Sequence, residues 1–470
     1  MDLIEYTRDE ALDISAFPFS EEREFAQLMD QNDPLNHFRE GFFIPSKTNL
    51  ESSHGQATSL SQETDPGIYL CGNQIGLQPR QAPLLIEHHL RTWATQGMYG
   101  LTKKIGESPL PTWGEMDQAA ARLMAPIVGA NPHEVSVMGG LTANLHILLA
   151  SFYRPVGERS KVILERDTFS SDYYAVQSQI QWHGLEVDNM VLIDPVSGDT
   201  LALSTAGILA VIDDHASTAA LIILSGVQYL TGQVLDIKRI TAHAHSRDIM
   251  IGWDLAHAVG NVELYLHSWM VDFAVWCNYK YMNAGPGAIA SIFVHEKHGE
   301  VDQTKGMEGY RPRLAGWWGN EMSSRFAMLN NFAPCTGAAG YQLSNASVLD
   351  TVALIASLEV FNQTDMVAIR KKSVLLTGYL DFLLGNVDPR PFKVITSSIP
   401  VERGCQLTLR FDDQHFLDRV VMRLKAKGFV VAQKQQMMRV APVPLYNTFT
   451  EVWAFVDELR RALESCRSAF

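Results

Sequence analysis

Cysteine is scarce in this chain. Five residues, Cys71, Cys277, Cys335, Cys405 and Cys466, are scattered through 470 positions, and no two form a CxxC pair. An odd, dispersed set fits reduced thiols and argues against a disulfide framework or a zinc site, so no metal is expected. An excess of positive charge is also missing: 38 Lys and Arg face 52 Asp and Glu, a net charge of −14. A surface of that sign repels phosphate backbones and anionic lipid, so neither nucleic acid nor a membrane is an expected partner. Long apolar runs are absent. The longest, such as Ala219 to Leu224, are far shorter than the ~20 residues of a membrane span. The first residues, MDLIEYTRDEALDIS, are acidic and lack the basic and apolar regions of a signal or transit peptide, so a cytoplasmic location is expected. Internal repeats and low-complexity tracts are lacking too.

What is present is an ordinary globular composition, 46% hydrophobic and 19% charged. Residues 46–66 are polar and read as a loop or arm. After them, short apolar runs alternate with helical patterns: Val162–Leu164, Met190–Ile193, Leu221–Ser225, Met250–Asp254, Phe273–Cys277 and Ile289–Val294. Strands separated by helices imply an α/β domain with a mostly parallel sheet. From about residue 346 the texture changes. A long helical stretch, Leu349 to Phe361 and on to Leu384, leads to strand-like Cys405–Phe411, Phe429–Gln433 and Met438–Val443, then a helix over Phe449–Cys466. The spacing predicts three parts: an N-terminal segment and loop (1–66), a large α/β domain (67–345) and a smaller α+β domain (346–470).

Ligands of open parallel sheets sit beyond the carboxyl ends of the strands. The polar residues that follow the apolar runs are therefore the first candidates: Asp167–Asp172, Ser225, Asp254, His257 and Asn278–Lys280. Lysine is costly to bury unless its charge or its amine is used, and a desolvated lysine forms Schiff bases. Lys280, just past an apolar run and followed by Gly285 and Gly287, fits that use, although a lone lysine after a strand is ordinarily a surface residue. Asp254 ends MIGWD, one crossover earlier. A carboxylate there can pair with a pyridinium nitrogen; its plain reading is a helix N-cap. His257, three residues on, would share a helical face with it, or be a structural histidine. Gly139-Gly140-Leu141-Thr142 before a helical run, Ala143–Ser151, offers free backbone N–H groups to a phosphate, or is simply a helix cap. Ser225 and Tyr279 add hydroxyls. Phe169, with Asp172 close by, could stack on a flat ring or pack in a core.

In this order the segments NHFREGFFIP, GNQIGLQP, LTANLHILLASF, GWDLAHAVGNVELYLHSWMVDFAVWCNYKYMNAGPG, VHEKH, LAGWWGNEMSSRF, VLLTGYL, ERGCQLTLRF and RVAPVPLYN resemble the kynureninase family over about Asn36 to Asn447. That resemblance implies the fold-type-I architecture of pyridoxal-phosphate enzymes and hydrolysis of kynurenine to anthranilate and alanine. It implies a homodimer whose sites are completed by the neighbouring subunit. Lys280 matches the Schiff-base lysine and Asp254 the partner of the pyridine nitrogen. Phe169 matches the ring-stacking aromatic, and Asp172 a further carboxylate on the cofactor. Leu141, Thr142, Ser225, His257, Tyr279, Trp317 and Asn345 match cofactor contacts, with Tyr279 a neighbour able to handle protons and Asn345 also near substrate. Arg439 matches the arginine that clamps the substrate carboxylate, a bidentate task suited to guanidinium.

The cofactor shell matches, whereas the substrate shell departs from the family. Gln74 stands where serine is usual, Leu101 where a histidine meets the substrate ring, and Asn320 where another histidine is usual. This pattern implies a small amino-acid substrate that is kynurenine-like but altered, or drift within an ordinary member. The alternative is another pyridoxal-phosphate reaction, a lyase step or a condensation, on a different aryl amino acid.

Overall fold

The strands expected from apolar runs are largely where the sequence puts them. In this computed structural model, which describes residues 14, 17–51, 65–104, 106–196 and 201–467, they are, in chain order, β1 (Ile68–Tyr69), β2 (Val135–Val137), β3 (Lys161–Glu165), β4 (Met190–Ile193), β5 (Ala219–Ser225), β6 (Met250–Asp254), β7 (Phe273–Cys277), β8 (Ala290–Val294), β9 (Phe392–Val394), β10 (Leu407–Phe411), β11 (Phe429–Val430), β12 (Ala432–Lys434) and β13 (Met437–Val440). The acidic N-terminal segment and most of the polar stretch 46–66 lie outside the described residues, apart from the short helix Lys47–Glu51.

Seven strands form one sheet in the order β2-β8-β7-β6-β5-β3-β4. β4, β3, β5, β6 and β7 run parallel, and β8 is antiparallel to both of its neighbours. Central strands of such a sheet are covered on both faces and read as unbroken apolar runs. Every residue of β7 and β8 is buried, and so are the last five of β5. The helix Leu141–Phe152 packs on β7 and β8. Its Leu145, Leu148, Leu149 and Phe152 join one buried cluster with Leu221, Ile223, Phe273 and Ile292. After β3 the chain moves outward to β4; after β5 it moves the other way to β6. β3 and β5 are neighbours, so the boundary between them is a switch point, the crevice where open α/β sheets bind ligands.

The chain divides into two units whose limits differ from the three-part division expected from composition. One comprises 81–228 and 235–362; the other comprises 1–80, 229–234 and 363–470. Pairing over long sequence distance accounts for the difference. β1 pairs parallel with β11, Ile68 with Phe429 and Tyr69 with Val430. The helix Arg23–Gln31 packs on the C-terminal helix Phe449–Arg467. The helix Val348–Phe361 stays with the larger unit because it packs on the helices Gln81–Gln96 and Met116–Val128. The continuous helix expected to Leu384 is two helices, Val348–Phe361 and Met366–Gly385. Asp365 caps the second by accepting the Ala368 amide, with a bend of 79° between the two. Among the described residues, no single helix is long and apolar enough to cross a membrane. In the smaller unit β12-β13-β10-β9 form an antiparallel sheet over a core that includes Leu380, Leu409, Met438 and Phe455.

Candidate active site

The carboxyl edge of the large sheet gathers the polar residues. Glu165 ends β3, Ser225 ends β5, Asp254 ends β6, and Lys280 follows β7 by three residues. Register puts Ser225 directly beside Asp254. Asp254 is 8% exposed, and its Oδ1 accepts the Ala256 amide at 2.8 Å. That bond closes a turn, not a helix. Residues 256–261 form successive turns with Gly260 at φ +75°, so His257 does not share a helical face with Asp254. The physical reason is local: the Asp254 carboxylate takes the amide two residues on, an alternative to helical pairing. His257 is buried all the same and meets Tyr281 edge to face.

Asp172, in the helix Ser170–Trp182, sits against Asp254. It is 1% exposed, and its carboxyl oxygens meet no donor other than the Asp254 carboxyl. Burial first, then the Asp254 charge beside it, hold its carboxyl well above the usual range. Two carboxylates in one dry site cannot both ionise freely, so the pair tends to keep a proton. Buried oxygens left without a partner are uncommon and mark a place where a donor is expected.

Lys280 is half-buried. Its Nζ donates to Cys277 Sγ at 3.3 Å and lies 5.4 Å from the Tyr279 ring centre. Burial, then the neighbouring Cys277 and Asp254, push the Tyr279 hydroxyl up, so it stays a phenol at neutral pH. Burial also raises the Cys277 thiol.

The helix Leu141–Phe152 starts where the glycine pair predicts, two residues earlier than the apolar run suggests. Gly140 is its N-cap and Gly139 has φ +52°. A side chain at Gly139 would meet the Asn144 amide oxygen at 2.5 Å, so glycine is required there. Thr142 Oγ1 lies 2.6 Å from Ser171 Oγ, which brings two hydroxyls to the start of the helix. Phe169, 43% exposed, is the N-cap of the helix that carries Asp172. Trp317, 45% exposed, donates through Nε1 to the Arg325 carbonyl at 3.0 Å, and Asn345 is exposed.

In the smaller unit, Arg439 on β13 is buried, with Nη1 donating to the Tyr229 carbonyl at 3.0 Å. Burial raises the Cys71 thiol to about 11, against a smaller opposing effect of the Arg439 charge. Cys71 Sγ in turn donates to the Gln74 side chain at 3.5 Å, so Gln74 and Arg439 share a neighbourhood through Cys71. Leu101, half-buried, ends the short helix Gly97–Leu101 of the larger unit. A cavity of about 310 Å³ in the smaller unit, lined by Phe17, Met29, Lys372, Leu375 and Phe449 among others, contains none of these residues.

Two family models match the chain: Aminotransferase class-V over residues 113–326 and Kynureninase C-terminal domain over 369–459. "Kynureninase 1" of Aspergillus oryzae is 54% identical over 456 residues, 94% of this chain and 93% of that one. "Kynureninase 1" of Emericella nidulans is 52% identical over 97% of this chain and 95% of its own length. The chain belongs to the kynureninase family. Among solved structures, the cysteine desulfurase CsdA of Escherichia coli superposes with TM-score 0.70 at 16% identity, over 92% of this chain and 98% of that one. A cystine C–S lyase, C-DES, gives 0.69 at 16% over 84% of this chain and 97% of its own. These likenesses bear on the fold, the fold-type-I architecture.

Against the family, Asn320 is one of three departures. Its amide is used inside its own loop: Oδ1 accepts the Ala333 amide at 2.8 Å and Nδ2 donates to Ser324 at 3.1 Å. Gln74 is also engaged locally, through Cys71, while Leu101 brings no polar group at all. Glu134, His267 and His295 bring donor atoms within 4.8 Å of one another, a spacing a cation could use. Those atoms are engaged already. Glu134 accepts the Asn131 and Glu296 amides and bonds His267 Nδ1, while His295 Nδ1 accepts the Lys297 amide. The group joins β2 to the start of the helix Glu296–Gly299. Sequence reasoning missed Glu165, while Ser171 falls within the candidate stretch Asp167–Asp172 without a role of its own. The signal for Glu165 was available, since it too is a polar residue ending an apolar run.

Proposed function

We propose that this kynureninase-family protein hydrolyses the Cβ–Cγ bond of L-kynurenine or a kynurenine-like aryl amino acid in the cytoplasm. Water adds across the bond, and anthranilate (or its analogue) and L-alanine leave. The observation that carries the reading is the pairing of a strand-end lysine, Lys280, with the buried carboxyl pair Asp254 and Asp172 on one sheet edge. Pyridoxal 5′-phosphate fits these residues. Asp172 and Asp254 share one buried acidic site in which Asp172 accepts no N–H bond, and the helix start at Leu141 with Thr142 and Ser171 offers N–H and hydroxyl groups to a phosphate. When bound, the cofactor supplies an electron sink for the substrate α-carbon.

The chain's own groups divide the remaining work. Asp254 provides the negative partner that keeps the ring nitrogen protonated. Lys280 would hold the cofactor, and its amine would move the substrate α-proton. Tyr279, a phenol at neutral pH, serves as a proton donor beside it. Phe169 would stack on the ring, with Leu141, Ser225, His257, Trp317 and Asn345 as further contacts. Arg439 takes the substrate carboxylate.

Incubation with kynurenine, followed by anthranilate fluorescence, tests the reading; a panel of aryl amino acids run alongside detects a lyase or condensation instead. Asp254→Ala is expected to lower turnover by about 10²–10³-fold, the scale of losing one preorganised electrostatic partner, while its circular dichroism stays native. A near-normal rate in that variant removes Asp254 from the mechanism.

Two segments of the larger unit expose large apolar side chains: Trp93, Met98 and Tyr99 in one, Met307, Phe326 and Leu329 in the other. Exposed apolar surface of this kind marks interaction sites and supports a homodimer with shared sites. Light scattering is expected to give a dimer; a fully active monomer argues against it.

The replacement of a polar ring partner by Leu101, with Gln74 in the Cys71–Arg439 neighbourhood, favours a substrate whose aryl group is less polar or bulkier than that of kynurenine. One buried polar partner left unmade costs about 1–3 kcal/mol, roughly ten- to a hundredfold. The double change Gln74→Ser with Leu101→His is therefore expected to raise kcat/KM for plain kynurenine by about that factor. If the wild type is already efficient and the double change lowers kcat/KM, the chain acts on kynurenine itself.

A further inference from the structure

Among the described residues, Glu165 is a strand-end acid that is buried and that the mechanism above leaves unused. It ends β3, is 1% exposed, and faces Ser225 at the end of β5 across the switch point. A short hydrogen bond joins Ser225 Oγ to its Oε1, and its Oε2 is buried with no partner. The charged groups around it are of one sign. Asp254 faces it from β6, Asp167 from its own loop and Asp172 from the helix Ser170–Trp182. Lys280 is the cation that acts on Asp172. The next basic residue along the chain, Arg166, points outward and is paired with the exposed Asp194. β5 contributes Ser225, whose hydroxyl and backbone amide both bond the Glu165 carboxyl and oppose the rise that burial causes.

A serine has a single hydrogen to donate. If Glu165 is ionised, that hydrogen is drawn to its carboxylate. If Glu165 is a carboxylic acid, Glu165 donates to Ser225 Oγ, and the serine's hydrogen is free to point elsewhere. We propose that Glu165 is a positioning residue whose neutral form donates its proton to Ser225 Oγ and so turns the Ser225 hydroxyl toward the bound cofactor. Burial, opposed by the Ser225 hydrogen bonds and helped by the Asp254 and Asp167 charges, raises its carboxyl to about 7, so the neutral form prevails below that pH. The neutral form also limits the negative charge beside Asp254 to the one carboxylate that the ring nitrogen needs. The proposal rests on the cofactor reading above.

The test compares wild type, Glu165→Gln and Ser225→Ala. Pyridoxal 5′-phosphate affinity is measured by quenching of tryptophan fluorescence on titrating the apoprotein from pH 6 to 8.5. Glutamine stays neutral and can still donate to Ser225. Its affinity should match wild type within about twofold at pH 6 and exceed it about tenfold by pH 8.5, as the wild-type acid ionises. Ser225→Ala should cost about tenfold at pH 6, and that loss should shrink toward pH 8.5. A Glu165→Gln protein that binds more weakly than wild type at every pH, or a Ser225→Ala loss that is constant with pH, overturns the proposal.

Thermal unfolding of the apoproteins separates this from the cofactor reading. A carboxyl whose pKa is raised by folding destabilises the fold as pH climbs from about 4.5 through about 7. Glu165→Gln should therefore melt higher than wild type at pH 8 but not at pH 5. If that pattern holds while wild type fails to bind the cofactor, the cofactor reading alone falls. If the melting difference does not depend on pH, Glu165 is not a buried neutral acid, whatever the protein binds.

Discussion

Lys280→Ala is expected to lower turnover by about 10⁴-fold and to abolish covalent attachment of the cofactor. The lysine has two duties in the proposed reaction, and alanine removes both. As an amine it holds the cofactor, and once free it moves the α-proton; a positioned proton-transfer group alone is worth about 10²–10⁴-fold. No described neighbour is suited to replace it. Cys277 lies 3.3 Å from Nζ, but burial keeps it a thiol, and Tyr279 is held as a phenol. The measurement has two parts: kcat on kynurenine, and borohydride reduction followed by peptide mass. Wild type should carry one label, on the peptide containing Lys280, and the variant none. A label that persists in the variant gives the attachment to another lysine and ends the assignment.

Asp272→Ala is expected to be the costliest single change for stability, by about 3–5 kcal/mol, the scale of breaking a buried charged network from one side. Asp272 lies just before β7, is 1% exposed, and has four partners. Oδ2 bonds His245 Nε2 and accepts the Ile251 amide of β6; Oδ1 bonds His298 and meets Lys297, the side-chain contacts each at 2.8 Å. One carboxylate therefore ties β6, β7 and the helix Glu296–Gly299 together. Hydrogen bonds from His245, His298 and Lys297 outweigh its burial and hold its pKa well below the usual range. A depressed carboxyl contributes stability that is present above its unfolded value, near 3.9, and is lost as pH falls through the folded one. Burial holds His298 below the usual histidine range, so acidification below about 6.5 favours the unfolded state, which protonates first. Thermal melts from pH 8 to pH 2 should show wild type losing stability below about 6.5 and again below about 3.9. Asp272→Asn, which preserves the shape, should start lower and lose less in the second, more acidic window. If Asp272→Ala melts with wild type at pH 7, the network holds nothing together.

The central strands were legible residue by residue. β6 and β7 match their apolar runs end to end, because a strand covered on both faces must be apolar throughout; the edge strand β4 matches its run as well, although only Ile193 in it is fully buried. The same logic made the strand ends candidates for the site, and Ser225, Asp254 and Lys280 do lie on one edge. The local glycine chemistry at Gly139-Gly140 marked a helix start for a reason the chain carries in itself: only glycine tolerates that backbone.

Other features depend on partners distant in sequence. β2 is three residues, too short for periodicity to stand out, and exists because β8 pairs with it. The direction of β8 is not encoded in its apolar residues, which suit either neighbour alignment. The N-terminal 80 residues join the C-terminal unit through β1, two residues long, whose hydrogen bonds lie more than 350 positions away. Asp172, Glu165 and Asp272 are ordinary carboxylates in sequence. What distinguishes them is the removal of water and the company of other charges, and both arise only when the strands close on one another. Composition and period thus determined the sheet and the identity of its edge residues. Tertiary packing decided which of those acids ionise, because desolvation and charge proximity act through space and leave no trace in residue order.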